Sequence, residues 1–141
     1  WSKTFSDLLK SSDYRSFLAQ MYQNEPTKFA DALDDHQRLI YTVNALTRMR
    51  YCTVDGELNF AEKRAPEELN SNEASALTPL LPWFTFNPTR FDDNFWVFGH
   101  WASLMGDSRQ KNVIPLDTGY VWGNYLSVLE WQSKTITKIF A

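Results

Sequence analysis

The sequence predicts a mixed α+β domain in which N-terminal helices pack on a C-terminal β-sheet. Apolar residues recur with helical spacing through residues 1–50, whereas short apolar runs typical of strands are spread over residues 51–141. Helices that come first and strands that come later favour a layer of helices covering a sheet. The length of 141 residues suits one domain with a substantial core. We therefore treat residues 1–141 as part of a single domain with a helical part and a β-rich part.

Three amphipathic helices are predicted in the helical part. Thr4 and Asp7 form a candidate capping pair for the first helix, and the second helix ends before Pro26, which cannot continue it. The third helix begins at Asp34 or Asp35. One face of this helix carries the apolar side chains of Leu39, Val43 and Leu46.

The β-rich part begins with a hairpin, because alternating apolar residues flank Asp55 and Gly56. A polar stretch at about 61–78 predicts a mobile loop. Four apolar runs then predict strands, of which the first, FWVF, should be buried. These runs are residues 95–98, 112–117, 125–131 and 135–140. The last two should pair as a hairpin with its turn near Gln132.

Composition and charge exclude several classes of protein. The net charge is −3, and no run of Lys or Arg forms the basic footprint that a nucleic-acid polymer requires. Cys52 is the only cysteine, so an intrachain disulfide is impossible and a reducing compartment is expected. No apolar run reaches the length of a membrane span, and the first residues lack the pattern of a signal peptide. These features predict a cytoplasmic protein that binds no membrane.

Three short stretches place polar residues at the ends of predicted elements. His100 follows Gly99 at the end of FWVF, and open sheets usually build their sites at that edge, although a histidine among apolar neighbours is more often structural. Asp117 lies in LDTG, where it could simply close a turn. Arg48 and Arg50 stand at a helix end, where they could stabilise the helix dipole or bind a phosphate through bidentate hydrogen bonds.

The chain contains no complete catalytic motif. Glycine-rich phosphate loops, GxSxG, HExxH and zinc-binding Cys and His spacings are all missing from it. A single histidine cannot hold a catalytic metal, so any partners of His100 must come from another segment or another chain.

A family resemblance connects these stretches. The segments IYTVNALTRMRYC, PWF, FGHWASL and LDTGYVWGNYLSVLEW, in this order, resemble the C-terminal half of bacterial symmetrical diadenosine tetraphosphate hydrolases. These enzymes are members of the metallophosphoesterases related to phosphoprotein phosphatases. The similarity runs from about Phe5 to Trp131. It implies that the domain is part of a calcineurin-like α/β sandwich.

The resemblance implies a hydrolase that cleaves diadenosine tetraphosphate into two ADP at a centre of two divalent metals, with manganese or cobalt expected. His100 inherits the role of a metal ligand by its position in GHW. The substrate-binding residues inferred in the matching segments are Arg48, Arg50, Trp101 and Asp117. The family motifs GDxHG, GDxxxRG, GNHD and HAG are absent from the chain, and its first residue is Trp1 rather than methionine. We therefore expect a piece of a longer enzyme that is inactive alone, associates with the missing N-terminal half, or associates with itself.

Two readings compete with the enzyme. In one, the chain is a natural regulatory subunit. In the other, it is a ligand-binding or protein-interaction module without catalysis, whose aromatic residues line a groove. The four tryptophans of that groove would be Trp83, Trp96, Trp101 and Trp122.

Overall fold

The computed structural model describes residues 1–69, 79–86 and 94–140. Its helices are α1 (Ser2–Leu9), α2 (Tyr14–Met21) and α3 (Asp35–Arg48). The start of α3 is confirmed: the carboxylate of Asp34 accepts a hydrogen bond from the backbone N–H of Gln37, whose side chain accepts one from the backbone N–H of Asp34. The capping pair predicted for α1 is wrong, because this helix already begins at Ser2 and has no side-chain cap.

The helices pack on one another around their own apolar cluster. Its buried members are Met21, Leu39, Ile40 and Val43, with Phe5, Leu8 and Phe17 packed against them. The face predicted for α3 is confirmed at two positions, since Leu39 and Val43 are buried. Leu46 is 63% exposed and does not join that cluster.

The first sheet is antiparallel and has the strand order β2–β1–β3. It consists of β1 (Tyr51–Thr53), β2 (Leu58–Asn59) and β3 (Leu80–Pro82). The predicted hairpin is confirmed as β1 and β2, and Gly56 takes a φ of 81° in its turn, which favours glycine. The pairing of β1 with β3 was not predicted, because β3 is a short segment between two prolines.

All four strands predicted in the C-terminal region are present. They are β4 (Trp96–Phe98), β5 (Val113–Pro115), β6 (Tyr125–Glu130) and β7 (Thr135–Phe140). The parallel pair β4–β5 and the antiparallel hairpin β6–β7 form two further small sheets, and the hairpin turn lies where it was expected. The burial predicted for FWVF is wrong: Trp96 and Val97 in β4 are 41% and 43% exposed.

A second apolar cluster lies in the β-rich part. Its buried members are Tyr51, Phe84, Trp101, Leu104 and Val113. The helices and the strands of the described residues thus have separate cores. The mixed helix and sheet content is confirmed, whereas the strands of the described residues form three small sheets rather than the one sheet predicted.

Residues 61–69 of the predicted mobile loop are anchored to this second core. The carbonyl oxygen of Arg64 accepts hydrogen bonds from Tyr51 Oη at 3.1 Å and from Trp101 Nε1 at 3.3 Å, and Ser103 Oγ donates to the carbonyl of Lys63 at 2.6 Å. Residues 70–78 of the loop lie outside the described residues. No described helix has both the length and the apolar character needed to cross a bilayer.

Candidate functional site

The parallel pairing of β4 with β5 brings two predicted site segments together. Phe98 is in register with Pro115, and the backbone N–H of Leu116 donates to the carbonyl of Phe98 at 2.8 Å. The residues that follow the two strands therefore leave the sheet at the same edge. A Cβ built at Gly99 would lie 3.9 Å from the Cβ of Asp117. The segments that carry His100 and Asp117 therefore lie close together.

His100 lies where the sequence predicts it, just beyond the carboxyl end of β4, and its side chain is exposed. Its φ is 66°, in the left-handed region, which costs a residue other than glycine roughly 1–2 kcal/mol. The positive φ belongs to His100 and not to its neighbour Gly99, although glycine takes such angles more readily. Uncommon backbone angles of this kind concentrate at functional sites.

Arg50 connects the residue after α3 with the end of β4. Its Nε donates a hydrogen bond to the backbone carbonyl of His100 at 3.1 Å. Its two Nη groups make no hydrogen bond within the described part of the chain, so this half of the guanidinium can receive a ligand. Partial burial and the charge of Arg48 lower the pKa of Arg50, and the carboxylate of Asp117 opposes them. The three predicted site residues Arg50, His100 and Asp117 therefore lie within electrostatic range of one another.

The charges around His100 favour its neutral form. Partial burial of the ring is the largest cause that lowers its pKa, followed by the positive charges of Arg50 and Arg48, while Asp117 raises it. Neutral imidazole is the form that binds a metal ion. The ammonium of Lys63 also lowers this pKa. Lys63 was not among the predicted site residues, because nothing in a polar loop indicates that it folds back towards His100.

Arg48 makes a different set of contacts. Its guanidinium donates to the carbonyl of Gln23, to Asn44 Oδ1 and to Asn24 Oδ1, each at 2.9 Å. The same group lies over two aromatic rings, 4.6 Å from the centroid of Tyr22 and 4.5 Å from that of Phe60. These contacts tie the last turn of α3 to the segment after α2, which favours the structural reading of Arg48.

Trp101 lies in the core rather than at the site. It is 1% exposed, its ring packs at 4.8 Å from that of Tyr51, and its Nε1 donates to the carbonyl of Arg64. A buried ring with its N–H satisfied offers no surface to a ligand. The predicted groove of four tryptophans is therefore wrong for Trp101.

A cavity of about 470 Å³ opens beside His100, between the C-terminal part of α3 and β4. Trp83 and Trp96, two members of the predicted groove, line it together with Leu46 and His100. This volume falls in the range of small-molecule sites, and its walls are mainly apolar.

The described residues do not form a metal site by themselves. They contain no group of three His, Cys, Asp or Glu side chains that could hold an ion. His100 and Asp117 offer two donors at most, whereas catalytic zinc sites, for comparison, use three protein ligands.

Comparison with known proteins connects the chain to one set of curated sequences. It is 44% identical over 133 residues to the symmetrical bis(5'-nucleosyl)-tetraphosphatase of Colwellia psychrerythraea, a match that covers 94% of the chain and 44% of that protein. Proteins of the same name from Psychromonas ingrahamii and Haemophilus ducreyi are each 40% identical, over 95% and 92% of the chain and 46% and 45% of their own lengths.

No protein-family model matches the chain. The matches nevertheless extend over more than nine-tenths of the chain. The chain is thus similar to the symmetrical bis(5'-nucleosyl)-tetraphosphatases along nearly its whole length, and it spans less than half of theirs.

Proposed function

We propose that this chain is the C-terminal part of a hydrolase that cleaves diadenosine tetraphosphate symmetrically into two ADP. The names of its relatives support the substrate and the reaction. The observation that carries the proposal is the assembly of Arg50, His100 and Asp117 at the common edge of β4 and β5. Such an edge is where sheets of this kind build their sites.

The charges of the site suit a polyphosphate. Arg50 holds its Nε on the backbone of His100, which points the Nη groups away from that bond and leaves them to donate to phosphate oxygens. Lys63 adds a second cation in the vicinity. The chain carries a net charge of −3, so this local excess of positive charge is a property of the site and not of the whole surface.

We infer that His100 contributes one ligand to a centre of two divalent metals, with manganese or cobalt as candidates. The described residues supply too few donors for such a centre. Its remaining ligands would come from the part of the relatives that this chain does not span. A site divided in this way leaves the chain alone without turnover, and it makes the missing N-terminal half its principal partner.

The cavity beside His100 favours the alternative of a ligand-binding module without catalysis. Trp83 and Trp96 line it, and an aromatic cavity can bind a nucleoside or a peptide whether or not chemistry follows. The two functions differ in one respect that can be measured: only the enzyme requires His100 for metal affinity.

The test uses the assembled protein, defined as this chain joined to the residues of the Colwellia psychrerythraea relative that it does not span. The substitution His100→Ala should weaken manganese binding at least ten-fold, as measured by calorimetry. It should also remove most of the turnover. His36→Ala is the matched control, because His36 is an exposed histidine in the first turn of α3. If both variants bind manganese like the parent, His100 is not a metal ligand and the proposal fails.

A further inference from the structure

The loop that follows β5 displays an unusually exposed aromatic side chain beside the candidate site. In the short 3₁₀ turn Tyr120–Trp122, Trp122 is 81% exposed. A large apolar ring gains stability from burial, so a position that holds tryptophan in solvent suggests a surface that another molecule covers. Isolated exposed apolar residues are common, but Trp122 lies in the loop that also contains Asp117.

Contacts along the chain place Trp122 next to the site. Asp117 accepts a hydrogen bond from the backbone N–H of Gly119 at 3.1 Å. A Cβ built at Gly119 would lie 3.5 Å from Trp122 Cδ1 and 3.6 Å from the Cβ of Ala102, which follows His100 by two positions. The indole and Ala102 therefore both lie beside Gly119, two residues after Asp117.

The loop is held in one conformation. Its backbone makes the hydrogen bonds Trp122 N–H to Gly119 carbonyl at 2.9 Å and Asn124 N–H to Gly119 carbonyl at 3.3 Å. Gly119 has a φ of 72°, in the left-handed region that favours glycine, and a Cβ there would lie 2.9 Å from Asn124 Nδ2. Thr118 is 2% exposed and donates to the carbonyl of Tyr125, which ties the start of the loop to β6.

An exposed indole on a hydrogen-bonded loop is suited to stack on a flat ring, since the loop backbone need not be ordered when the ring binds. Base stacking on aromatic side chains tolerates any base and needs no hydrogen-bond partner. The substrate proposed above carries an adenosine at each end of its phosphate chain, so a base must lie near any site that binds the phosphates.

We propose that Trp122 is a base-stacking residue of this site, on which one adenine ring of the dinucleoside polyphosphate lies while the phosphates extend towards Arg50 and His100. This inference rests on the proposed function. It assigns Trp122 a role in substrate affinity and none in bond cleavage.

The test compares a ligand that has a base with one that lacks it, in the assembled protein. The inhibition constants of ADP and of inorganic pyrophosphate are measured for the parent, Trp122→Ala and Trp122→Phe. Trp122→Ala should raise the inhibition constant of ADP roughly 5- to 150-fold, the range expected for the loss of one stacked base. It should leave the inhibition constant of pyrophosphate unchanged. Trp122→Phe should retain most of the affinity for ADP. Trp131→Ala is the matched control: Trp131 is 51% exposed on the β6–β7 hairpin, and its replacement should alter neither constant.

The outcomes separate this inference from the proposed function. If Trp122→Ala weakens the binding of ADP and of pyrophosphate equally, or the binding of neither, the stacking role is wrong while the phosphate site stands. Equal weakening accompanied by a lower melting temperature would mean that Trp122 packs on the N-terminal half instead. If the parent binds neither ADP nor pyrophosphate, the proposed function fails and the stacking role fails with it.

Discussion

Arg50 Nε donates a hydrogen bond to the backbone carbonyl of His100 at 3.1 Å. This bond joins the segment after α3 to the segment after β4, and the register of Phe98 with Pro115 adds the segment after β5. Three stretches that are distant in the sequence therefore meet at one edge of a two-stranded sheet. The orientation of the Arg50 guanidinium depends on this hydrogen bond, which lysine cannot reproduce in the same geometry.

The two arginines of TRMR should respond differently to the same substitution. In the assembled protein, Arg50→Lys removes the Nε bond and the two Nη donors, and should lower kcat/KM for diadenosine tetraphosphate roughly ten-fold with little change in melting temperature. Arg48→Lys removes two hydrogen bonds that tie α3 to the segment after α2 and one to Asn44 within α3. It should lower the free energy of unfolding by about 2 kcal/mol, or the melting temperature by roughly 5 °C. Steady-state kinetics and calorimetric melting on both variants make the comparison. Equal kinetic losses for the two variants would contradict the separation of their roles.

Glu62 should make the stability of the protein depend on acid pH. Hydrogen bonds from the Arg64 side chain, and then from backbone N–H groups, lower the pKa of Glu62 from its ordinary value of 4.5 to about 2. Because the folded-state pKa is lowered, the stabilisation is complete above pH 4.5 and is lost as the pH falls towards 2. Glu62→Gln should therefore cost on the order of 1 kcal/mol at pH 6 and close to nothing at pH 2. Urea unfolding at both pH values measures this, with Arg64→Ala completing a double-mutant cycle. A cost that does not change with pH would refute the assignment.

The chain by itself should associate. Leu126, Val128 and Ile139 lie on one face of the β6–β7 hairpin and are 45%, 46% and 48% exposed. Trp96 and Val97 in β4 are exposed to a similar degree. Apolar strands left open in this way tend to pair with another chain. Light scattering should give a mass above 16.5 kDa for the isolated chain, and adding the N-terminal half of the Colwellia psychrerythraea relative should replace the self-association by a defined complex. A monomer that does not bind the N-terminal half would contradict the expectation.

Local signals in the sequence were enough to predict most elements of the fold. Asp34 marked the start of α3, Asp55 and Gly56 marked the first hairpin, and runs of apolar residues marked β6 and β7. The failures concern interactions that depend on tertiary structure. Trp96 in β4 was expected to be buried because it is apolar, yet in the described residues that strand pairs only with β5 and stays open to solvent.

The candidate site was predictable residue by residue but not as an assembly. His100 and Asp117 each stood at the end of an apolar run, and the parallel pairing that brings them together is a long-range contact without a local signal. Arg48 and Arg50 looked equivalent in the sequence, and only the positions of Gln23, Asn24 and Asn44 distinguish them. Trp101 is excluded from the site because it is buried, and no spacing pattern in the sequence reveals that burial.

The most direct measurement is the product distribution from diadenosine tetraphosphate. The assembled protein is incubated with manganese and the substrate, and the nucleotides are separated by anion-exchange chromatography, with the isolated chain and the assembled His100→Ala variant alongside. The account predicts that the assembled protein converts the substrate into ADP alone, that the isolated chain produces none, and that His100→Ala loses most of the activity. Formation of ATP with AMP, or no cleavage by a correctly folded assembled protein, would contradict it.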